Sequence, residues 1–210
     1  MMNIGKEISA LVFTGVTLAT PSIVLAGGGP LGIDSRLNLN EQGIWKRNNQ
    51  RTLEQLVVGS VIAGAFWEGS ESRLGRTFWQ STDSFILGQA GYLALNNTFR
   101  RQRPSQSNDP NQWFKSGGHS FPSGEVTAIS SAITPLVLDY GPEHPQVYAL
   151  ELLPLYDAAA RMKAQAHWQT DVLAGWALGT AAGYYAHSRS QPLTVMILPH
   201  SLTVGWHKRF

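Results

Sequence analysis

The chain of 210 residues contains no cysteine, so no disulfide can stabilise its fold. Charged residues make up only 14% of the sequence, and the formal net charge is +2. There is no run of lysine and arginine and no interleaved aromatic stripe, which argues against a nucleic-acid partner. The mean hydropathy of -0.12 is too low for a chain made mainly of membrane spans. We therefore expect one domain of ordinary size, stabilised by its hydrophobic core.

The N-terminal segment predicts a secretory signal peptide over residues 1–26. Lys6 precedes an apolar stretch that ends at Ala26, where small or aliphatic residues suit cleavage. Pro21 interrupts this stretch, whose length approaches that of a membrane span, so an uncleaved anchor is the alternative. The expected mature domain is residues 27–210, exported to the periplasm or outside the cell, with membrane association left open.

Apolar residues recur at helical spacing and predict an all-α fold, a bundle of about five to six helices. Pro135 and Pro154 fall inside two of these segments, where each predicts a kink or an early end. After the last helix, two alternating segments predict a short C-terminal β-hairpin. The expected helices cover residues 52–67, 78–100, 145–162 and 168–187, with another following residue 125.

Gly175, Gly179 and Gly183 lie every fourth residue in the last predicted helix. Small side chains at this spacing let another helix approach closely. The stripe is compatible with a contact inside the bundle, with a contact between subunits of a homo-oligomer, and with a membrane span, because residues 172–188 carry no formal charge.

The segment from Ala160 to Asp171 combines an arginine, a histidine and an aspartate. If it is helical from His167 onward, the Asp171 carboxylate can hold one imidazole nitrogen and leave the other free as a nucleophile or base. Arg161 supplies a planar fork that suits phosphate oxygens. Taken alone, the pair is equally compatible with a surface hydrogen bond, and two ligands without a third make a poor metal site.

Two upstream segments add to this group. Arg103 and Pro104 follow the second predicted helix, while Ser123 and Gly124 open the third. Backbone N–H groups at a helix start bind anions, and Gly124 would let an anion approach the backbone. With the Ser123 hydroxyl and two arginines as clamps, the combination suits a phosphate group and its transition state.

Together these segments resemble the signature of the type-2 phosphatidic acid phosphatase superfamily, which includes bacterial acid phosphatases, lipid phosphatases and vanadium haloperoxidases. The signature reads K-x6-R-P, then P-S-G-H, then S-R-x5-H-x3-D. The first block is matched at its end, the second in most of its length, and the third with its spacing intact. The matching residues are, in order, Arg103, Pro104, Pro122, Ser123, Gly124, Arg161, His167 and Asp171.

Three positions depart from the signature. Asn96 stands at the lysine, Ala160 at the serine of the third block, and Glu125 at the histidine of P-S-G-H. In the family that histidine protonates the leaving oxygen and then activates water. A glutamic acid can do the same if it holds a proton at the working pH, whereas an ionised carboxylate would repel phosphate. The lost lysine removes a cation, for which the candidates are Arg100, Arg101, Lys115 and Lys163.

The resemblance implies hydrolysis of a phosphomonoester or a pyrophosphate, carried by a small molecule or a lipid, without a metal or other cofactor. It implies that His167 attacks phosphorus to give a phosphohistidine, that Asp171 orients the imidazole, and that Glu125 acts as acid and base. Asn96 is an auxiliary position. The residues expected to hold the phosphoryl oxygens are Arg103, Ser123, Gly124 and Arg161.

Two alternatives to a phosphatase stay open. One is a phosphate-binding or lipid-phosphate-binding protein that has lost catalysis. The other is a haloperoxidase-like enzyme with vanadate as its cofactor. His119 is likewise open between a spare acid and a loop hydrogen bond. Association with a membrane surface is compatible with any of these activities.

Overall fold

The computed structural model describes residues 27–189 and two C-terminal strands at residues 194–198 and 201–205. The predicted signal peptide, residues 1–26, lies outside the described residues. The described part is mainly helical, as the periodicity predicts. Its α-helices are α1 (Arg47–Glu68), α2 (Arg73–Phe99), α3 (Gly124–Tyr140), α4 (Leu152–Lys163) and α5 (Gln169–His187), and shorter 3-10 helices cover Gly43–Trp45 and Pro145–Glu151.

α3 is the central helix, and it packs against α5, α2 and α1. Its core side chains include Val126, Ile129 and Ile133, each no more than 2% exposed, and alanines, serines and threonines between them are also buried. A helix covered on all sides has no polar face, which explains why this segment is apolar through most of its length.

The predictions made for the two prolines have different outcomes, because the helix ends early at neither one but the segment with Pro154 is divided as predicted. α3 continues through Pro135 to Tyr140, so an early end there is wrong. Pro154 is the third residue of α4, where the missing N–H would have no partner inside the helix. The segment predicted as one helix is instead divided just before this proline, at the junction between the 3-10 helix and α4.

The glycine stripe of α5 packs against α3. A Cβ at Gly175 would lie 2.5 Å from the Ser123 carbonyl oxygen, and one at Gly179 would lie 2.6 Å from that of Thr127. Both distances are shorter than any ordinary contact, so only glycine allows the two helices to approach this closely. The stripe therefore serves a contact inside the bundle. Among the helices of the described part, none is long and apolar enough to cross a membrane.

At the C-terminus, β1 (Thr194–Leu198) and β2 (Ser201–Gly205) pair in antiparallel fashion. Thr194 lies opposite Gly205 and Leu198 opposite Ser201. The pairing coincides with the alternating segments that predict a hairpin. Residues 199 and 200, which join the strands, lie outside the described residues.

Replacing Gly179 with alanine should lower the free energy of unfolding by about 1–3 kcal/mol, because the added methyl overpacks the contact between α3 and α5. Urea unfolding of the purified protein measures this. Gly59→Ala is the matched control, since this exposed glycine in the interior of α1 has nothing within 4 Å of a new Cβ. There alanine should stabilise the helix by about 0.5–1 kcal/mol. Equal effects at the two positions would contradict the packing argument.

Candidate active site

The segments that carry the signature meet at one end of the bundle. The loop after α2 and the N-terminus of α3 lie against the loop that joins α4 to α5. Three contacts define this junction: the Ser123 N–H donates to the Asp171 carbonyl at 2.9 Å, the His167 ring bonds to Ser120, and an Arg161 nitrogen lies 3.4 Å from the Glu125 carboxylate. All the residues expected to act on phosphate thus come from this region.

His167 is buried, and its Nδ1 lies 2.7 Å from the carbonyl oxygen of Ser120. A carbonyl oxygen only accepts hydrogen bonds, so Nδ1 carries the proton and Nε2 keeps its lone pair. Burial lowers the pKa of His167 well below its ordinary value, and the positive charges of Arg161 and Arg103 lower it further. The imidazole is therefore neutral near pH 7, with Nε2 available as a nucleophile.

The direct hydrogen bond expected between His167 and Asp171 is wrong, because α5 begins two residues after His167. Asp171 instead accepts the backbone N–H of Trp168 at 2.8 Å, as a carboxylate in the first turn of a helix can. It also accepts the Ser120 hydroxyl at 2.5 Å and an Arg101 nitrogen at 2.6 Å. Since the Ser120 carbonyl holds the imidazole, Asp171 acts on His167 through Ser120.

Arg101 is fully buried at the centre of an ionic cluster that sequence reasoning missed. Its guanidinium pairs with Asp34 at 2.5 Å and with Asp171 at 2.6 Å. It lies over the rings of Trp113 and Trp168, at 4.5 and 5.5 Å from their centroids. Its donors are used inside the protein, so Arg101 does not replace the missing lysine. Its further acceptors are the Thr170 hydroxyl and the Pro110 carbonyl.

Asn96, at the position of the signature lysine, is buried and forms hydrogen bonds to other residues of the chain. Its amide nitrogen donates to the Phe121 carbonyl at 3.1 Å, which leaves its oxygen to accept Nδ1–H of His119 at 2.9 Å. His119 thus makes the loop hydrogen bond that is one of its two interpretations. Asn96 supplies no positive charge in the manner of the lysine.

Glu125 lies among arginines. Arg47 holds its carboxylate with both terminal nitrogens, one of them at 2.5 Å, and Arg161 Nε is 3.4 Å away. The side-chain oxygen of buried Gln50 accepts from Arg47 at 3.2 Å and from Arg161 at 3.0 Å. The Glu125 carboxylate thus accepts from Arg47 and forms an ion pair with Arg161. Sequence reasoning missed Arg47 because it precedes the apolar period that predicts the first helix from residue 52.

The start of α3 offers polar groups to a ligand. The Ser123 side chain is buried, and within the described part of the chain its hydroxyl has no hydrogen-bond partner. A buried hydroxyl without a partner is costly, which favours a ligand oxygen beside it. Gly124 has a second reason to be glycine, because a Cβ there would lie 2.8 Å from the Tyr92 ring. Arg103 is half-buried, with one nitrogen 3.4 Å from the His119 carbonyl.

Asp157 lies on α4, one turn before Arg161, and its side chain is fully buried. Within the described residues, neither of its carboxyl oxygens has a hydrogen-bond partner. Burial, reinforced by the negative charge of Glu125, raises the pKa of Asp157 to about 8. This carboxyl is therefore protonated at neutral pH and adds no negative charge to the site. In residues 27–189, no three potential metal ligands form a cluster that could hold an ion.

Asp157→Asn should remove a pH dependence of stability. Between the unfolded pKa near 4 and the folded pKa of about 8, folded Asp157 holds a proton that the unfolded chain releases, so stability falls as pH rises. The variant should gain stability over the wild type by up to about 1.4 kcal/mol per pH unit across this window. Urea unfolding at pH 5, 6 and 7 measures the difference, and parallel curves would contradict a buried, protonated Asp157.

Comparison with known proteins shows which part of the chain matches a family. The PAP2 superfamily model matches residues 79–194, which include the three signature segments but neither Arg47 nor Asp34. No curated protein matches the chain. Among solved structures, the crystal structure of Aquifex aeolicus LpxE aligns with 70% of this chain and 98% of its own, at 18% sequence identity and a TM-score of 0.39.

Proposed function

The chain belongs to the PAP2 superfamily, and from that premise we propose that it is a phosphatase acting on a phosphomonoester or a pyrophosphate through a phosphohistidine. The observation that carries this proposal is the buried, neutral imidazole of His167, whose Nδ1 is occupied by a carbonyl and whose Nε2 is free. A neutral imidazole beside arginines is suited to attack an anionic phosphoryl group.

In the first step, Nε2 of His167 forms a bond to phosphorus while the bond from phosphorus to the leaving oxygen breaks, and an acid gives that oxygen a proton. In the second, water attacks the phosphohistidine, a base takes its proton, and inorganic phosphate leaves. The imidazole becomes cationic when phosphorylated. The Ser120 carbonyl that accepts from Nδ1 stabilises that charge, and Asp171 keeps Ser120 in place.

The clamp for the phosphoryl oxygens consists of two arginines and the start of α3. Arg103 and Arg161 supply charge-assisted hydrogen bonds, the free Ser123 hydroxyl supplies another donor, and the Gly124 N–H lies at the positive end of a helix. Such groups stabilise the charge that spreads over the equatorial oxygens in the transition state. These groups stabilise the negative charge that a bound metal ion stabilises in other phosphatases. We therefore expect the activity to persist in the presence of a metal chelator.

We assign the acid and base role to Glu125, with a condition that the geometry imposes. Arg47 and Arg161 both pair with its carboxylate. A phosphate dianion that takes over these arginines leaves the carboxyl beside a negative charge, which favours its protonated form. Glu125 would then hold the proton that the leaving oxygen needs.

A second function has one observation in its favour. The ion pairs of Glu125 occupy the same arginine that the phosphate requires, as expected of a binding protein in which catalysis has been lost. In that case phosphate binds in competition with Glu125, and no turnover follows. Activity measurements separate the two functions.

We further propose a lipid-linked phosphate as substrate, at a membrane surface. The support comes from α1, which exposes Leu56, Phe66 and Trp67 by 63%, 75% and 90%. Exposed apolar patches of this kind mark lipid or protein contacts. Leu56 also lines an apolar cavity of about 250 Å³, together with Val57, Val61, Phe78, Ile133 and Leu153.

The test of the reaction is hydrolysis of an aryl phosphate by the wild type and by His167→Ala. The wild type should be active and the variant inactive, and acid quenching during turnover should leave labelled phosphate on His167. Because the pKa of His167 is lowered, the nucleophile stays neutral below pH 6.5, so activity should persist in moderately acid solution. Label on any other residue would contradict the mechanism.

Glu125→Gln tests the acid and base assignment. Glutamine keeps the shape and cannot transfer a proton, so turnover should fall roughly 10²-fold or more. An aryl phosphate with a strongly acidic leaving phenol provides the internal control, since its departure needs little protonation and the loss in the first step should be smaller. Unchanged turnover with every substrate would remove Glu125 from this role.

A further inference from the structure

The site needs a cation that its signature residues do not provide. Asn96, at the lysine position, is bonded to Phe121 and His119. Arg101 already forms ion pairs with Asp34 and Asp171. The remaining sequence candidates lie elsewhere: Arg100 and Lys115 are exposed, and Lys163 lines a surface groove with residues 38–42.

Arg47, in the first turn of α1, lies next to the clamp. Its guanidinium shares two partners with that of Arg161. The Gln50 side-chain oxygen accepts a hydrogen bond from each arginine, and the Glu125 carboxylate accepts from Arg47 and forms an ion pair with Arg161. Gln50 is fully buried, and its amide nitrogen donates to the Trp45 carbonyl at 3.0 Å, which fixes the oxygen toward the two arginines. One buried amide thus holds both guanidinium groups side by side.

The partner of Arg47 shows what kind of group its fork can hold. Both terminal nitrogens reach the Glu125 carboxylate, in the two-pronged geometry that arginine uses equally for phosphate. Glu125 is the second residue of α3, directly after Gly124 and the unpartnered Ser123 hydroxyl. The fork is therefore directed to the helix start at which the phosphoryl group is proposed to bind.

Building on the proposed function, we propose that Arg47 is a third arginine of the phosphate site and supplies the cation that the lysine position lacks. In the structure it pairs with Glu125, and on binding phosphate it exchanges that carboxylate for phosphoryl oxygens. Arg47 lies before the family match at residues 79–194, so none of the signature residues assigns it this role.

The charges of the site support the exchange. Arg47, Arg103 and Arg161 bring three positive charges, Glu125 brings one negative charge, and Asp157 is neutral at pH 7 because burial raises its pKa. Glu54 also interacts with Arg47 and Arg161, and burial raises its pKa. Even with Glu54 ionised, the arginines outnumber the carboxylates, and an anionic phosphoryl group can neutralise the excess. A half-buried arginine, 31% exposed in its side chain, can turn from one anionic partner to another without leaving the site.

Calorimetric titration with inorganic phosphate tests the proposal on four proteins: the wild type, Arg47→Gln, Glu125→Gln and the double variant. Loss of a charged hydrogen-bond donor should weaken phosphate binding about 10-fold to 100-fold. The decisive comparison is made in the Glu125→Gln background, where Arg47 no longer has its carboxylate. A 10-fold or greater loss there supports direct binding, whereas no loss would show that Arg47 serves Glu125 alone and would overturn the proposal.

Two further variants sharpen the result. Arg47→Lys keeps the charge and should recover part of the affinity that Arg47→Gln loses. Arg51→Gln, one turn further along α1 at an exposed arginine, should bind phosphate within about twofold of the wild type. Equal losses at positions 47 and 51 would indicate a general effect of net charge and count against the site. If the wild type binds no phosphate at all, the proposed function itself fails.

Discussion

The buried charge of Arg101 is the interaction on which the arrangement of the site depends. A guanidinium with no exposure to water needs negative charges close to it to offset the loss of hydration. Two carboxylates supply them: Asp34, which precedes α1, and Asp171, at the start of α5. The second carboxylate also holds Ser120, and the carbonyl of Ser120 holds the His167 ring. The orientation of the imidazole is thus fixed by an ion pair that the imidazole itself does not touch.

Short-range features could be predicted from sequence, and long-range pairs could not. Buried positions repeat at a fixed spacing along a helix, so periodicity is sufficient to predict the helices. His167 lies only six residues from Arg161, so motif spacing is sufficient to predict that segment of the site. The Arg101–Asp34 pair joins residues 67 apart and the Arg47–Glu125 pair residues 78 apart, and no local pattern encodes such partners. The predicted contact between His167 and Asp171 is wrong for a local reason. The capping geometry at the start of α5 directs the Asp171 carboxylate to the backbone N–H of Trp168.

Glu125 changes the electrostatic character of the proposed phosphate site. A histidine at its position would be neutral or positive, whereas a carboxylate neutralises part of the arginine charge before any ligand arrives. Weakly charged anions then have little advantage over the internal carboxylate, while a doubly charged group can displace it. The substitution therefore bears on selectivity among anions as well as on proton transfer.

The close contact between α3 and α5 has a mechanical consequence. Gly175 meets the carbonyl of Ser123, whose own N–H bonds to the carbonyl of Asp171, so the starts of the two helices are fastened at the same point. The nucleophile and the helix-end amides consequently form one rigid body, although some 45 residues of chain separate them. A bulky molecule that enters this end of the bundle has to pass around that body, and Arg47, on α1, belongs to an element outside it.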